Sequence, residues 1–375
     1  VRDYAVQFLV NAGYFAAVIF LPLYAEGPAI GATEAQLGAI VAGGHFAGFL
    51  SSFALGRLAD IRGRRLVLLS GLAASSLLAS VQVFAANPIS LGLTWLAFGF
   101  AFGSFPGALL AYAYEAGRPP GRFSSAGSLG WGFGTFLAGV LALVASNDRW
   151  SFLLAAVLLL IAFVVSARLR FDREVRLQVP RIPLAVIRRN WPVYAAILVR
   201  HTGANMIWVI FPLFLAQDLG MSRFEIGVVY AVNAVTQFVV MLLAVDRYGS
   251  VRLVFAGLGM SAVTFLAFTL ARSFGEMLPT QVALGVSWAF LYVGALKFVL
   301  ERGVERATSS GLLGSAISIS ATVGPLLGGA IAEAFHRTTP MYVASGLAII
   351  ALGVFGAALR RQARRLRAPS APIGD

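Results

Sequence analysis

The chain has 375 residues, 59% of them hydrophobic and only 12% charged, with a net charge of +13 and a mean hydropathy of +0.82. A water-soluble domain could not cover that much apolar surface, so the solvent for most of the chain is a bilayer. There is no cysteine, which excludes disulfides and thiolate metal sites.

Twelve apolar runs have the length of about 20 residues that a membrane helix needs. They lie at roughly 4–25, 35–57, 66–86, 89–113, 124–146, 150–168, 192–216, 224–245, 251–271, 276–299, 308–333 and 340–359. The first exceeds the apolar core of a signal peptide and has a counterpart in the second half, so it reads as a span. Counting loops alternately from a cytoplasmic N-terminus puts 23 basic residues on one side and only Arg149, Arg223, Arg272 and Arg337 on the other. This bias explains the net charge as membrane orientation, with both termini cytoplasmic and no nucleic-acid partner.

The longest loop separates two related halves. "LPLY" at 21–24 answers "FPLF" at 211–214, and "GATEAQLG" at 31–38 answers "GMSRFEIG" at 220–227. Asp60 answers Asp246, and "GSLG" at 127–130 answers "GLLG" at 311–314. Four matches in order indicate a duplicated unit. The expected organisation is all-α: a six-helix bundle over 1–167, a cytoplasmic linker over 168–191, a second six-helix bundle over 192–367 and a tail over 368–375. Parallel six-helix repeats are an architecture of secondary transporters.

The loop after the second run, "GRLADIRGRR" at 56–65, resembles the signature loop of the major facilitator superfamily. Gly56, Asp60, Gly63, Arg64 and Arg65 carry the likeness, whereas Ile61 stands where the family usually has a basic residue. The second-half copy keeps Asp246, Arg247 and Gly249 but has Leu242 in place of the leading glycine. The resemblance implies two pseudo-symmetric bundles, transport rather than enzymatic activity, and a cytoplasmic gate in which Asp60 meets the start of the eleventh span. Thr308, Ser309 and Ser310 there would present capping groups and free N–H donors to an anion. Arg64 and Arg65 would reach lipid phosphates or Glu115. "GPLLGG" at 324–329 is similar to the family's Gly-Pro motif and would serve close packing or a bend.

Charged groups inside spans mark function by default. All sixteen carboxylates fall in loops or near span ends, with Glu26, Glu115 and Glu301 among the latter, and what remains at depth is basic: His45, Arg200 and His201. Lys297, four residues before Glu301, is expected to pair with it or to snorkel to the interface. Arg200 lies roughly 13 Å from the cytoplasmic end of the seventh run at 1.5 Å per residue. With no carboxylate at its depth, its expected partner is the substrate or a span-end acid. His201, Asn205 and Trp208 share one helix face, and Gln7, Asn11 and Tyr14 form a similar stripe in the first run. Tyr230, Asn233 and Gln237 in the eighth run and Trp288 and Tyr292 in the tenth complete the candidate substrate and coupling residues. Each Asn or Gln could equally bond within its own bundle.

The expected function is therefore carriage of a small organic solute by alternating access, in a prokaryotic inner membrane, by a monomer without metal or cofactor. Coupling to protons through His201 or His45 stands beside uncoupled facilitation or organic-anion exchange centred on Arg200. A polytopic enzyme or receptor is the remote alternative, since no nucleophile constellation, paired acidic metal motif or phosphate loop is found.

Overall fold

The computed structural model describes residues 2–118, 120–145, 147–169, 184–243, 247–302 and 306–367; within its helices, the side chains of 53, 56–62, 111, 114, 115, 120, 121, 306–308, 310 and 363–367 are not described. The first half comprises α1 (Arg2–Ile19), α2 (Leu21–Glu26), α3 (Glu34–Arg62), α4 (Arg64–Val81), α5 (Pro88–Gly103), α6 (Pro106–Glu115), α7 (Pro120–Val144) and α8 (Trp150–Ser166). The second comprises α9 (Leu184–Leu213), α10 (Arg223–Leu243), α11 (Ser250–Phe268), α12 (Phe274–Glu301), α13 (Arg306–Ala334) and α14 (Thr339–Arg367). Ten helical rods among the described residues are long and apolar enough to cross a membrane, and Trp150–Ser166 is a shorter apolar helix. Since α1 with α2 and α5 with α6 are single spans broken near a proline, the chain is an all-helical membrane protein of twelve spans. Helix α9 begins at Leu184, eight residues inside the stretch expected as linker, because "LAVIRRN" continues the helical pattern of the seventh run. Residues 170–183 and the tail lie outside the described residues.

The duplication is legible in backbone detail. Pro22 lies in the first turn of α2, and its counterpart Pro212 closes α9, where the chain passes into a π-helical turn over Phe214–Asp218. A proline supplies no N–H and crowds the preceding turn, so both spans are interrupted at the same level. Beyond each break a glycine adopts positive φ, Gly31 at 69° and Gly220 at 67°. Each glycine is followed by reciprocal capping. Thr33 bonds Gln36 in both directions at 3.0 and 3.3 Å, and Ser222 bonds Glu225 in the same way at 2.8 and 3.3 Å.

Packing repeats as well. In the first half α1 packs on α7 and α8, α3 on α5, and α4 on α5 and α8; in the second, α9 packs on α13 and α14, α10 on α12, and α11 on α12 and α14. The halves meet through α3 with α13 and α7 with α10. Glycines set these distances. A Cβ on Gly134 would enter the Ala12 carbonyl, and one on Gly328 the Met206 carbonyl. The "GPLLGG" stretch therefore acts here by close approach.

Candidate functional site

At one end of the molecule the halves are stitched together. Arg337 Nε lies 2.6 Å from Glu34 Oε1, and its terminal nitrogens reach Glu26 at 3.6 Å and Asp218 at 3.4 Å. Burial works against the Arg337 charge, but the surrounding Glu34, Glu26 and Asp218 more than offset it and hold its pKa above the ordinary value. Arg223 pairs with Asp148 at 3.2 Å, Gln217 donates to Glu26 at 3.0 Å, and the Ala35 N–H donates to Glu333 at 2.7 Å. Backbone contact accompanies these bonds, since a Cβ on Gly329 would collide with the Glu34 carbonyl and one on Gly139 would lie 3.1 Å from the Arg223 carbonyl.

The opposite, arginine-rich end is different. Among the described residues, side-chain bonds there join parts of one half: Arg2 to the Arg168 carbonyl, Arg118 to Asp3, Tyr194 to the Ser309 carbonyl and Arg302 to Gln362. A cavity of about 680 Å³ lies between the halves, its lining reaching Gln7, Ser52, Ser124 and Gln237 toward the arginine-rich end, which the charge bias assigns to the cytoplasm.

Its walls are aromatic. Tyr14, Phe98, Phe102 and Trp131 face Trp208, Tyr230 and Trp288 across the space, and Trp131 meets Trp208 edge-on at 6.4 Å, bridging the halves. Gln7, Asn11, His45, Arg200, His201, Asn205 and Gln237 supply polar lining, with hydroxyls of Ser52, Ser124, Ser128, Thr135 and Ser318, and no carboxylate lines the cavity among the described residues.

Arg200 is 2% exposed, and its partners differ from those expected. Nε donates to Ser261 Oγ at 2.8 Å, Nη1 lies 3.4 Å from His201 Nδ1, and Nη2 has no hydrogen-bond partner. The guanidinium lies 5.0 Å from the Phe265 ring centre and 5.3 Å from that of Trp288, so ring faces stand where a carboxylate was expected. A guanidinium has no acceptor, so the His201 contact requires an unprotonated Nδ1 and leaves the proton on Nε2. The His201 ring also stacks on Trp288 at 4.7 Å.

Other expected site residues divide. Asn11 and Asn205 each donate to a carbonyl one turn back, Gln7 and His201 respectively, while still lining the cavity. Asn233 does not line it. Its amide bonds Gln281 Oε1 at 3.1 Å and its Oδ1 accepts from Gln237 at 2.6 Å, because a buried amide needs partners and α12 supplies one. Tyr292 is also off the lining, stacked behind Trp288 at 5.4 Å.

At the expected gate, Gly63 makes the turn into α4 with φ 107°. Arg64 is buried, and Arg65 donates to the Ala167 carbonyl at 3.2 Å, at the end of α8. Arg247 is exposed. Gly56 and the side chains of Asp60 and Glu115, together with Asp246, lie outside what is described. Glu301 accepts from Ser250 at 2.7 Å, and Lys297 donates to the Tyr248 carbonyl at 2.8 Å, so those two do not pair as expected. Glu26 belongs to the sealed outer end. Three wall residues, Phe98, Phe102 and Trp131, together with Gln281 and the pairing role of Arg337, carry no signal in the sequence; the three aromatics at helical spacing are indistinguishable there from lipid-facing positions.

The family model described as Major Facilitator Superfamily matches residues 4–198 and 193–375. The chain belongs to the major facilitator superfamily. This facilitator-family transporter is 24% identical over 163 residues to "Quinolone resistance protein NorA" of Staphylococcus aureus, spanning 42% of each chain. It is 26% identical over 160 residues to "Multidrug resistance protein 1" of Bacillus subtilis (strain 168), 41% of each. The matched part is thus about two fifths of the length of these relatives. Two structures of the nucleoside transporter NupG, one of them a mutant, superimpose with TM-scores of 0.75 and 0.79. Each covers at least 95% of this chain and 98% of the other at 14% identity, a likeness of fold. The protein is thus a multi-pass membrane member of this transporter superfamily.

Proposed function

We propose that the protein is a secondary carrier that moves a small amphipathic, ring-bearing organic solute across a prokaryotic inner membrane by alternating access. Residues 1–167 and 192–367 would be the two rocking bodies, acting as a monomer. The observation that carries this reading is the aromatic-walled cavity between the halves, which ion pairs tie together at the end that holds Arg337. A cavity of that size suits a solute of drug or nucleoside dimensions, in keeping with the quinolone, multidrug and nucleoside names of its relatives.

Counterflow of labelled quinolones, nucleosides and aromatic acids into proteoliposomes tests the proposal. Exchange of at least one of them should fall at least about tenfold in Trp208→Ala, equivalent to losing roughly 1.4 kcal/mol of ring contact. Exchange at the wild-type rate in both Trp208→Ala and Trp131→Ala would move the path out of the cavity.

Proton coupling, where it operates, falls to His45. Both cavity histidines titrate in the right range when unperturbed, but His201 receives the Arg200 Nη1–H, and protonating it would set two cations side by side. His45 lines the same cavity without such a neighbour bonded to it.

A further inference from the structure

The cavity carries one permanent charge among its described lining residues, the Arg200 guanidinium. The ion pairs of the described residues lie at the two ends of the molecule, so the charge at this depth has no carboxylate partner there. Two donors are left at the same wall: Arg200 Nη2, buried and without a partner, and the Nε2–H that the Arg200 contact leaves on His201. Ser261 Oγ, which accepts from Arg200 Nε, is itself 2.6 Å from Ser287 Oγ and donates to the Gly257 carbonyl at 2.7 Å, so the guanidinium is held in place from behind. Rings flank these donors: Trp288 stacks on His201, and Tyr14, Phe102, Trp131, Trp208 and Tyr230 line the rest of the space.

From this juxtaposition we infer that the site takes a planar aromatic monocarboxylate, its rings on the aromatic wall and its carboxylate on Arg200 Nη2 and His201 Nε2–H. The inference rests on the transport reading above and names its substrate class. The two donors, Arg200 Nη2 and His201 Nε2–H, select a ligand group that accepts. One uncompensated guanidinium in a low-dielectric wall favours one negative charge, repels a cation, and gains less from a neutral isostere. A carboxylate reaches the shielded Nη2 when Trp288, which covers both Arg200 and His201, turns aside.

The test uses matched probes on the full chain in detergent and in nanodiscs: 2-naphthoate, 2-naphthamide, 2-naphthylmethylammonium and decanoate, with binding followed by calorimetry and tryptophan fluorescence. Naphthoate should bind roughly 10- to 100-fold more tightly than the amide, the span of one charge-assisted hydrogen-bonded contact, and the ammonium more weakly still. In Arg200→Gln that preference should vanish while the amide's affinity stays within about threefold, and Arg200→Lys should keep part of it because the charge remains but the fork does not. Wild-type selectivity decides even where a variant fails to fold. Equal affinity for naphthoate, amide and ammonium would overturn the anion inference and leave the ring-binding cavity standing. Decanoate binding as tightly as naphthoate would overturn the aromatic requirement. Absence of binding by all four, with the protein folded, would overturn the cavity reading itself.

Discussion

Arg337 is the side chain whose removal should most change the resting shape of this transporter. It sits in the second half and reaches across to Glu34 and Glu26 in the first, while also holding Asp218 of its own half. The Arg337 side chain is 22% exposed and those of Glu34 and Glu26 are 12% and 15%, between the surface and buried extremes of ion pairing. Each cross-half pair then contributes about 1 kcal/mol, slightly above the exposed median. Both exist only while the outer end is closed. In Arg337→Gln the two contacts are lost and Asp218 is left facing Glu26 and Glu34 without a cation between them, so closure weakens by about 2 kcal/mol, or roughly 30-fold in the ratio of the two states. Because its carboxylate neighbours hold the guanidinium charged, substitution rather than pH is the way to remove it. The chain has no cysteine, so spin labels can be placed at will. One pair on exposed Ala86 and Arg272 reads the outer end, and a second on exposed Ala116 and Arg188 reads the cytoplasmic end. Pulsed dipolar distances should lengthen for the first pair and shorten for the second in Arg337→Gln. Unchanged distributions in both pairs, with the variant folded, would refute the assignment of closure to this cluster.

Three further outcomes are expected. Gly329→Val places side-chain atoms against the Glu34 carbonyl, so the same outer pair should lengthen, with a cost of roughly 1–3 kcal/mol to the closed state; an unchanged distance would mean that the helices shift freely. Asp60→Asn should move the cytoplasmic pair further toward the open form, and a distribution like that of the wild type would reduce the signature loop to an orientation signal. Uptake driven by a pH gradient should be lost in His45→Gln with counterflow intact, while in His201→Gln gradient-driven uptake should fall only as far as counterflow does, a pattern whose inversion would return the proton to His201.

The fold was legible because its determinants are local and repeated. Apolar runs gave the spans, the arginine bias gave their orientation, and the offset between "LPLY" and "FPLF" marked a duplication that the structure repeats as two proline breaks and two positive-φ glycines. The cavity was legible only in part. Polar residues stand out in an apolar chain, so Gln7, Asn11, Tyr14, His45, Arg200, His201, Asn205, Trp208, Tyr230, Gln237 and Trp288 could all be singled out, and all line it. Spacing cannot say which side of a helix meets its own bundle, and Asn233, one turn from Gln237, turns toward Gln281 instead. Nor could the sequence reveal the aromatic surroundings of Arg200, since Phe265 and Trp288 come from two other helices, α11 and α12, and only packing brings both rings to one guanidinium.

The duplication also bears on the role proposed for Arg200. Helix α9 corresponds to α1 at the offset of 190 that relates the two proline motifs, and that offset places Val10 opposite Arg200 and Asn11 opposite His201. Val10 is 3% exposed and Arg200 2%, so two copies of one architecture bury an aliphatic side chain and a guanidinium at the same level. The first copy shows that the fold is content with a hydrocarbon there. The second bears the desolvation of a charge that lacks a carboxylate partner, a burden of several kcal/mol only partly offset by Ser261 and two ring faces. Arg200→Met, which fills the same slot without the charge, should therefore leave the melting temperature unchanged or raise it, whereas Ser261→Ala, which strips the charge of its serine, should cost about 1–3 kcal/mol. Thermal unfolding of the two variants in one detergent decides the matter. A large loss of stability in Arg200→Met would make the arginine a structural member of the second bundle, and a neutral or stabilising result leaves solute binding as the reason it is there.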